Sequence, residues 1–310
     1  MRLVGVLDRD IRIVDDIDAE KVPQLKGKFD FLWLDLEKLG SKEHKVVQET
    51  FGLPAANEGD YPVAITGDSF DTVVLNYFEE LSRRYLSIYY SKSFLITIHR
   101  RPSSAIEGAM ASLNEMLVAG KLNSENILYQ LVLGIMTVND KELRTIEANF
   151  RNFTEQLKTG GVDINNVFFL QKKAKSSSKV ISKTEDLILD ISSKRIESKF
   201  IDNPNAFKRL YSDMEDQSRR IDDLCGILDD LAYGMIPSIW EALNSTKKIV
   251  GGLVVLSTAI SLAALFKLAF PEKFFGLDTW HLAFLLVGIG AIAALIAQFT
   301  SSTKINIAEI

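Results

Sequence analysis

Two stretches near the C-terminus carry no charge at all, residues 249–266 and 280–299. Each supplies roughly 18–20 residues, about 30 Å of helix, which matches the hydrocarbon core of a bilayer. A chain with such a pair is not a simple soluble protein, and two membrane-spanning helices are the economical reading. The alternative is a buried helical hairpin within a soluble core. That would need far more apolar surface upstream than the rest of the chain offers. Between the two stretches, residues 268–279 carry Pro271, Gly276, Glu272, Lys273 and Asp278, a composition suited to a short exposed loop. Phe274, Phe275 and Trp280 stand where an interfacial aromatic belt would.

Flanking lysines set the expected orientation, since positive flanks stay on the cytoplasmic side. Lys247 and Lys248 precede the first stretch and Lys304 follows the second, whereas the loop between is nearly neutral. Both termini are therefore expected in the cytoplasm, in a multi-pass protein of the cell (inner) membrane. The opening Met-Arg-Leu-Val-Gly-Val-Leu-Asp-Arg-Asp becomes charged too soon for a secretory signal. In the second stretch Gly290 and Ala294 have the small-xxx-small spacing that lets helices approach closely. Neither stretch holds an acidic residue at mid-depth, which argues against a carboxylate relay inside the membrane.

Charge separates the halves. The chain holds 36 Lys plus Arg against 41 Asp plus Glu, and from Thr246 onward there are five lysines and three acids. The first 245 residues thus carry 31 positive and 38 negative charges, a net of −7. Such a portion has little reason to seek nucleic acid, whose phosphates reward a basic surface. A single cysteine, Cys225, excludes an internal disulfide framework and any multi-cysteine metal site. No phosphate-binding glycine loop, nucleophile elbow or His-Glu-x-x-His motif is visible, and His44, His99 and His281 are too scattered for a zinc site. The chain reads as a non-enzyme that requires no cofactor.

Residues 1–102 alternate short apolar runs with turn signals, predicting strands over 3–7, 11–14, 31–34, 63–66, 72–76, 85–90 and 94–99, with a helix over 41–51. This is a small cytoplasmic α/β domain. Residues 103–203 change to helical periodicity, with helices expected over 105–117, 124–157 and 178–199.

A long helix follows. Met214, Ile221, Leu228 and Met235 recur every seven residues, and Leu210, Leu224 and Leu231 hold the companion position, interrupted by Gln217. That is a heptad seam. Pro237 is expected to kink the helix locally. A stalk over 204–248 running on into a span over 249–268 makes a rod of roughly 97 Å at ~1.5 Å per residue. A loop over 269–279, the second span over 280–299 and a cytoplasmic tail over 300–310 complete the chain.

At this point the chain resembles the CorA family of divalent-cation channels and its zinc-transporting relatives. The architecture matches over essentially the whole length. Phe31-Leu32-Trp33-Leu34-Asp35-Leu36 with Phe51-Gly52-Leu53 resembles the family's early strand and helix, and Phe94-Leu95-Ile96-Thr97-Ile98-His99 resembles its strand ending in Thr-Val-His. Asn244 and Lys248 match the Asn and Lys of the family's Asn-x-x-Met-Lys-x-Leu-Thr pattern. The family's Gly-Met-Asn motif is missing: the position it should occupy is Leu268-Ala269-Phe270, and Tyr233-Gly234-Met235 belongs to the stalk heptad. The resemblance implies a CorA-like funnel: an α/β cytoplasmic domain, long stalk helices and two C-terminal transmembrane helices, assembled as a homopentamer in the lipid bilayer. It also implies passive passage of Mg²⁺, or of Zn²⁺, Co²⁺ or Ni²⁺, through a pore formed by the first spans. A scaffold or regulator that keeps the architecture without selective Mg²⁺ transport is the alternative.

Individual positions have two readings each. Asn244 supplies a ring of pore amides, or it is a residue at the headgroup boundary. Lys247 and Lys248 anchor the interface, or they shape the electrostatics of the pore mouth. Gly251, Val255, Thr258 and Leu262 line an apolar pore that gates by dewetting, or they pack helices. The stalk carboxylates Asp213, Asp216, Asp222, Asp223, Asp229 and Asp230 are hard oxygen ligands for Mg²⁺ or Ca²⁺, transported or regulatory, or an ordinary solvated face. Asp216 with Arg220 and Arg219 with Asp223 have the i, i+4 spacing of helical ion pairs.

Overall fold

The computed structural model describes residues 1–8, 10–37, 42–54, 62–80, 82–159, 164–269, 273–274, 277–278, 284, 287–289 and 291–292. They fall into two units, Met1–Asp230 and Leu231–Ile310.

The first unit opens with strands β1 (Arg2–Leu7) and β2 (Asp10–Val14), a short helix α1 (Val22–Leu25), β3 (Phe31–Leu36), α2 (Lys42–Phe51), β4 (Val63–Ile65), β5 (Asp71–Glu79), β6 (Ser82–Tyr90) and β7 (Phe94–His99). All seven strand expectations hold, with ends shifted by up to three residues. The strands form one sheet in the order β2-β1-β3-β7-β6-β5-β4. Only the central β3–β7 pair is parallel, with Leu32 opposite Phe94 and Leu36 opposite Ile98. Every residue of β3 is buried, which is why its sequence reads as an apolar run broken only by Asp35 rather than as an alternation. On one face Leu3, Leu32, Leu34, Leu36, Tyr89, Ile96 and Ile98 pack with Val22 of α1 and Val47 and Phe51 of α2.

Helices α3 (Ser104–Ala111), α4 (Leu113–Val118), α5 (Ser124–Thr159) and α6 (Ile164–Ser192) follow. The single helix expected over 105–117 is two, parted at Ser112, whose hydroxyl donates to the Ala109 carbonyl. Gly134 lets α5 lie close to α3, since a Cβ there would come within 2.9 Å of Ala105 Cα. The helix expected over 178–199 instead begins at Ile164 and ends at Ser192. Its first half is masked in the sequence by Lys172, Lys173, Lys175 and Ser176–Ser178. Yet Val167, Leu170, Ala174 and Ser177 continue the buried stripe of Val180, Thr184 and Ile188. At its end Lys194 takes the left-handed conformation at φ 61, with Arg195 N–H bonding the Asp190 carbonyl and Lys194 N–H that of Ile191. This is a Schellman cap built on a lysine where glycine is the usual choice.

Helix α7 runs from Phe207 to Ala269 as one element of 63 residues, uninterrupted at Pro237. Within the first unit its heptad seam is buried: Phe207, Leu210, Met214, Ile221 and Leu228 are fully covered, and Gln217 donates to the Met136 carbonyl of α5. In the second unit α7 continues to Ala269 and is followed by two short strands, β8 (Lys273–Phe274) and β9 (Leu277–Asp278), inside the segment expected as a loop. Most of 280–299 lies outside the described residues, although Phe284, Val287–Ile289 and Ala291–Ile292 are helical. Among the described residues no helix is long and apolar enough to cross a membrane.

Two substitutions test this packing. Ile221→Ala empties a fully covered seam position and should destabilise the chain by about 2–4 kcal/mol. Lys194→Gly relieves the left-handed cap and should stabilise it by about 0.5–1 kcal/mol. Denaturant unfolding followed by helix circular dichroism reads both, and a destabilising Lys194→Gly would contradict the cap.

Candidate pore face and polar networks

Asn244, Lys248, Gly251, Val255, Thr258 and Leu262 follow one another at alternating steps of four and three, so they share one face of α7. Asn244 is half-buried, while Lys247, Gly251, Val255, Thr258 and Leu262 are exposed in the single chain; the side chain of Lys248 lies outside the described residues. Gly251 has open space where a side chain would stand. Thr258 donates its hydroxyl to the Val254 carbonyl at 2.8 Å and Ser261 donates to Ser257 at 2.8 Å. Their protons are used within the helix, leaving hydroxyl lone pairs as the outward polar feature. Val250, Leu253, Val254, Ile260 and Leu265 are exposed as well.

The stalk carboxylates divide into two groups. Asp222 accepts from Ser178 at 2.7 Å, and Asp229 accepts from Gln171 at 2.5 Å and pairs with Lys175 at 2.8 Å, so both are tied to α6. Lys175, followed by Gln171, holds the Asp229 carboxyl below its usual value. Asp216 pairs with Arg219 at 3.1 Å. Asp213, Asp223 and Asp230 are exposed. Burial, with Asp222 and Asp229 nearby, pushes the Cys225 thiol up to about 11, which keeps it protonated and unreactive. Among the described residues no group of three or more His, Cys, Asp or Glu side chains is disposed to hold a metal ion.

The expected i, i+4 pairs on α7 are replaced by other partners. Arg219 reaches back to Glu215 and Asp216, and Arg220 crosses to α5, meeting Asp140 at 2.7 Å and Glu147 at 2.9 Å. Arg220 lies beside the buried seam, where a carboxylate pair on a neighbouring helix competes successfully with an exposed Asp216.

A second polar network lies at the carboxyl ends of β3 and β7. Trp33 Nε1 donates to Thr97 Oγ1 at 3.1 Å, and Thr97 donates to Asp35 Oδ1 at 2.6 Å. His99 Nε2 meets the same Asp35 oxygen at 3.0 Å, and its Nδ1 faces the Arg101 carbonyl at 2.6 Å. A carbonyl only accepts, so Nδ1 carries a proton, and the carboxylate beyond Nε2 favours a second. Burial pulls the His99 pKa down, but the Asp35 carboxylate and the Arg101 carbonyl outweigh it, and the net shift is upward. A narrow cleft of about 120 Å³ adjoins the pair, lined also by Arg2, Asp15, Asp16, Glu37 and Glu107. A carboxylate inside an otherwise apolar strand was the one sequence signal for this network. Its partner stands 64 positions away, on the strand that pairs with β3.

The model of the CorA-like Mg²⁺ transporter protein family matches residues 29–258. The chain belongs to this family. The match runs from just before β3 through α7 as far as Thr258, and stops short of Leu268-Ala269-Phe270. Among solved structures, the complete CorA magnesium transporter from Methanocaldococcus jannaschii is similar at a TM-score of 0.62 and 15% identity, with 95% of this chain and 96% of that one covered. The full-length CmaX protein is similar at a TM-score of 0.57 and 16% identity, covering 97% of each chain. The ZntB cytoplasmic domain from Vibrio parahaemolyticus is similar at a TM-score of 0.55 and 16% identity, over 76% of this chain and 96% of that one. No curated protein matches the chain at a significant level. At these identities the CorA, CmaX and ZntB structures speak for the fold alone.

The His99–Asp35 pair gives a pH test. Because the folded pKa of His99 lies above the unfolded value of about 6.5, the pair contributes fully below that pH. Its contribution is lost as pH rises through the folded value. The stability gap between the native chain and His99→Gln, from denaturant melts, should therefore be widest below about pH 6.5 and narrow as the pH is raised above it. A gap independent of pH would remove the charged pair from the account.

Proposed function

We propose that the protein passes divalent cations down their electrochemical gradient through a pore built from the 244–262 face of α7 in a homopentamer. Mg²⁺ is the default cargo, with Zn²⁺, Co²⁺ or Ni²⁺ as alternatives. The observation that carries this reading is the family match reaching Thr258, over a helix face left uncovered in the single chain. In this reading residues 249–268 and 280–299 cross the cell membrane with both termini cytoplasmic. Lipid and neighbouring copies cover Val250, Leu253, Val254, Ile260 and Leu265. Asn244 offers a ring of amides whose oxygens accept hydrogen bonds from the water shell of a cation. Gly251, Val255, Thr258 and Leu262 form a narrow apolar passage, polar only at Thr258, that opens and closes by wetting. Lys247 and Lys248 add positive charge at the cytoplasmic end. A potential of about 100 mV supplies roughly 4.6 kcal/mol for a divalent ion, and exposed lysines are screened within about 8–10 Å at physiological salt. The exposed Asp213, Asp223 and Asp230 draw cations to the stalk, and Asp216, Asp222 and Asp229 join them where neighbouring copies meet.

One observation favours a second reading. At Leu268-Ala269-Phe270 no side chain has an oxygen to hold a hydrated cation, so a pentameric scaffold or regulator without selective Mg²⁺ transport is the alternative. Cation uptake by liposomes containing the purified protein separates the two. Flux of at least one divalent ion is expected, and Asn244→Leu should reduce it severalfold without loss of assembly. Absence of flux for every divalent ion from an intact oligomer would establish the scaffold reading instead. Orientation is checked by a cysteine at Gly276 in a Cys225→Ala background, which should be labelled from outside the cell by an impermeant reagent while a tag after Ile310 stays protected.

A further inference from the structure

At the carboxyl end of β7, His99 is 4% exposed and both of its ring nitrogens face acceptors: Nδ1 meets the Arg101 carbonyl at 2.6 Å and Nε2 meets Asp35 Oδ1 at 3.0 Å. A neutral imidazole carries one N–H, so either neutral tautomer sets a ring lone pair against an oxygen lone pair. Only the imidazolium satisfies both contacts. The Arg101 carbonyl belongs to the connection from β7 to α3, and the residues after it are held by other partners. Arg84 donates to the Pro102 carbonyl at 2.7 Å, Tyr77 donates its hydroxyl to Ser103 at 2.6 Å, and Glu79 accepts from the Ser104 N–H at 3.1 Å. Imidazole is the side chain whose ordinary titration lies near neutrality, so of these four fastenings the one at Arg101 is the proton-sensitive one.

We infer that His99 is a proton-operated catch: as imidazolium it fastens the β7–α3 connection to the sheet, and on losing a proton it lets go of the Arg101 carbonyl while keeping Asp35. The order of release follows from bond strength, since an N–H donated to a carboxylate is about twice as strong as one donated to a neutral carbonyl. The remaining proton stays on Nε2, and Nδ1 turns its lone pair on Arg101. The charged groups around the ring are Asp35, Glu37, Arg2, Asp15, Asp16 and Glu107, which line the adjoining cleft of about 120 Å³. Arg2 is taken by Asp15 at 2.8 Å and Glu107 at 2.9 Å, so the surroundings favour a positive ring. Burial lowers the His99 pKa, but Asp35, the Arg101 carbonyl and Glu37 together raise it further. The catch is therefore closed below the unfolded value of about 6.5 and opens as the pH rises through the higher folded value. At roughly 30 Å³ a molecule, water in the cleft can take over the freed carbonyl. The freed segment leads into α3, whose Ala105 lies against Gly134 of α5. The catch works whether or not the chain conducts ions.

The test uses the full-length protein in detergent with isotopically labelled histidine nitrogens, of which three residues supply the signals. Ring-nitrogen resonances are followed from about pH 6 to about pH 9. Those of His99 are assigned by their loss in His99→Gln or, should that variant not fold, by elimination in His44→Gln and His281→Gln. Amide hydrogen exchange over Arg100–Ser104, corrected for the intrinsic effect of pH, is read by mass spectrometry on the same samples. Nδ1 alone should lose its proton, and exchange in the connection should quicken severalfold over the same interval. The Gln side chain has a single donor group, so His99→Gln should exchange at the released rate at every pH. A ring that gives up its Nε2 proton instead, or keeps both, would overturn the inference on the native chain alone. So would exchange that stays constant while Nδ1 titrates, or a pH-dependent rise that survives in His99→Gln.

Discussion

The first unit depends on the seven-residue repeat of α7. In the first unit Leu210, Met214, Ile221, Leu224 and Leu228 of α7 are buried, and Gln217 is fastened to the Met136 carbonyl. Further along α7, in the second unit, stand Gly252 and Leu256. Among the described residues between Val250 and Leu262, these two alone are partly covered. The face about 100° around from them is the one that bears Gly251, Val255, Thr258 and Leu262.

Much of this was legible in the sequence because it rests on period and composition. The strands of the sheet, the α7 heptad and the uncharged stretch of 249–266 all follow from apolar spacing. What was not legible depends on contacts between segments far apart in the chain. Arg220 has an acid at i−4 and nevertheless turns to Asp140 and Glu147, because α5 brings two carboxylates to the side of α7 where it sits. Asp222 and Asp229 look like members of a solvated acidic face until α6 is laid beside them with Ser178, Gln171 and Lys175. The early start of α6 was hidden by its lysines and serines, whose outward positions say nothing of the buried Val167, Leu170 and Ala174. Asp35 and His99 meet only because β3 and β7 pair in parallel.

The family match covers the proposed pore face as far as Thr258 and ends before Leu268-Ala269-Phe270. α7 continues as helix to Ala269, and Leu268-Ala269-Phe270 offers no side-chain oxygen. In the proposed pore, preference among divalent ions falls to the side-chain polar groups on α7, chiefly the amide of Asn244 and the hydroxyl of Thr258, whose proton is already committed to Val254. Such a pore distinguishes ions by the work of keeping or losing their water shells rather than by a dedicated outer site.

The central claim, that the 251–262 face of α7 borders a water-filled passage while its neighbours face lipid or protein, is tested most directly by thiol accessibility. Single cysteines would be placed at Thr258, Val255, Leu253 and Ile260 in a Cys225→Ala chain reconstituted in liposomes, then exposed to a charged, water-soluble thiol reagent during ion uptake. Modification at 258 and 255 with block of the flux, and slow or absent modification at 253 and 260, is the predicted pattern. Equal reactivity at all four positions, or block from 253 and 260 alone, would contradict it.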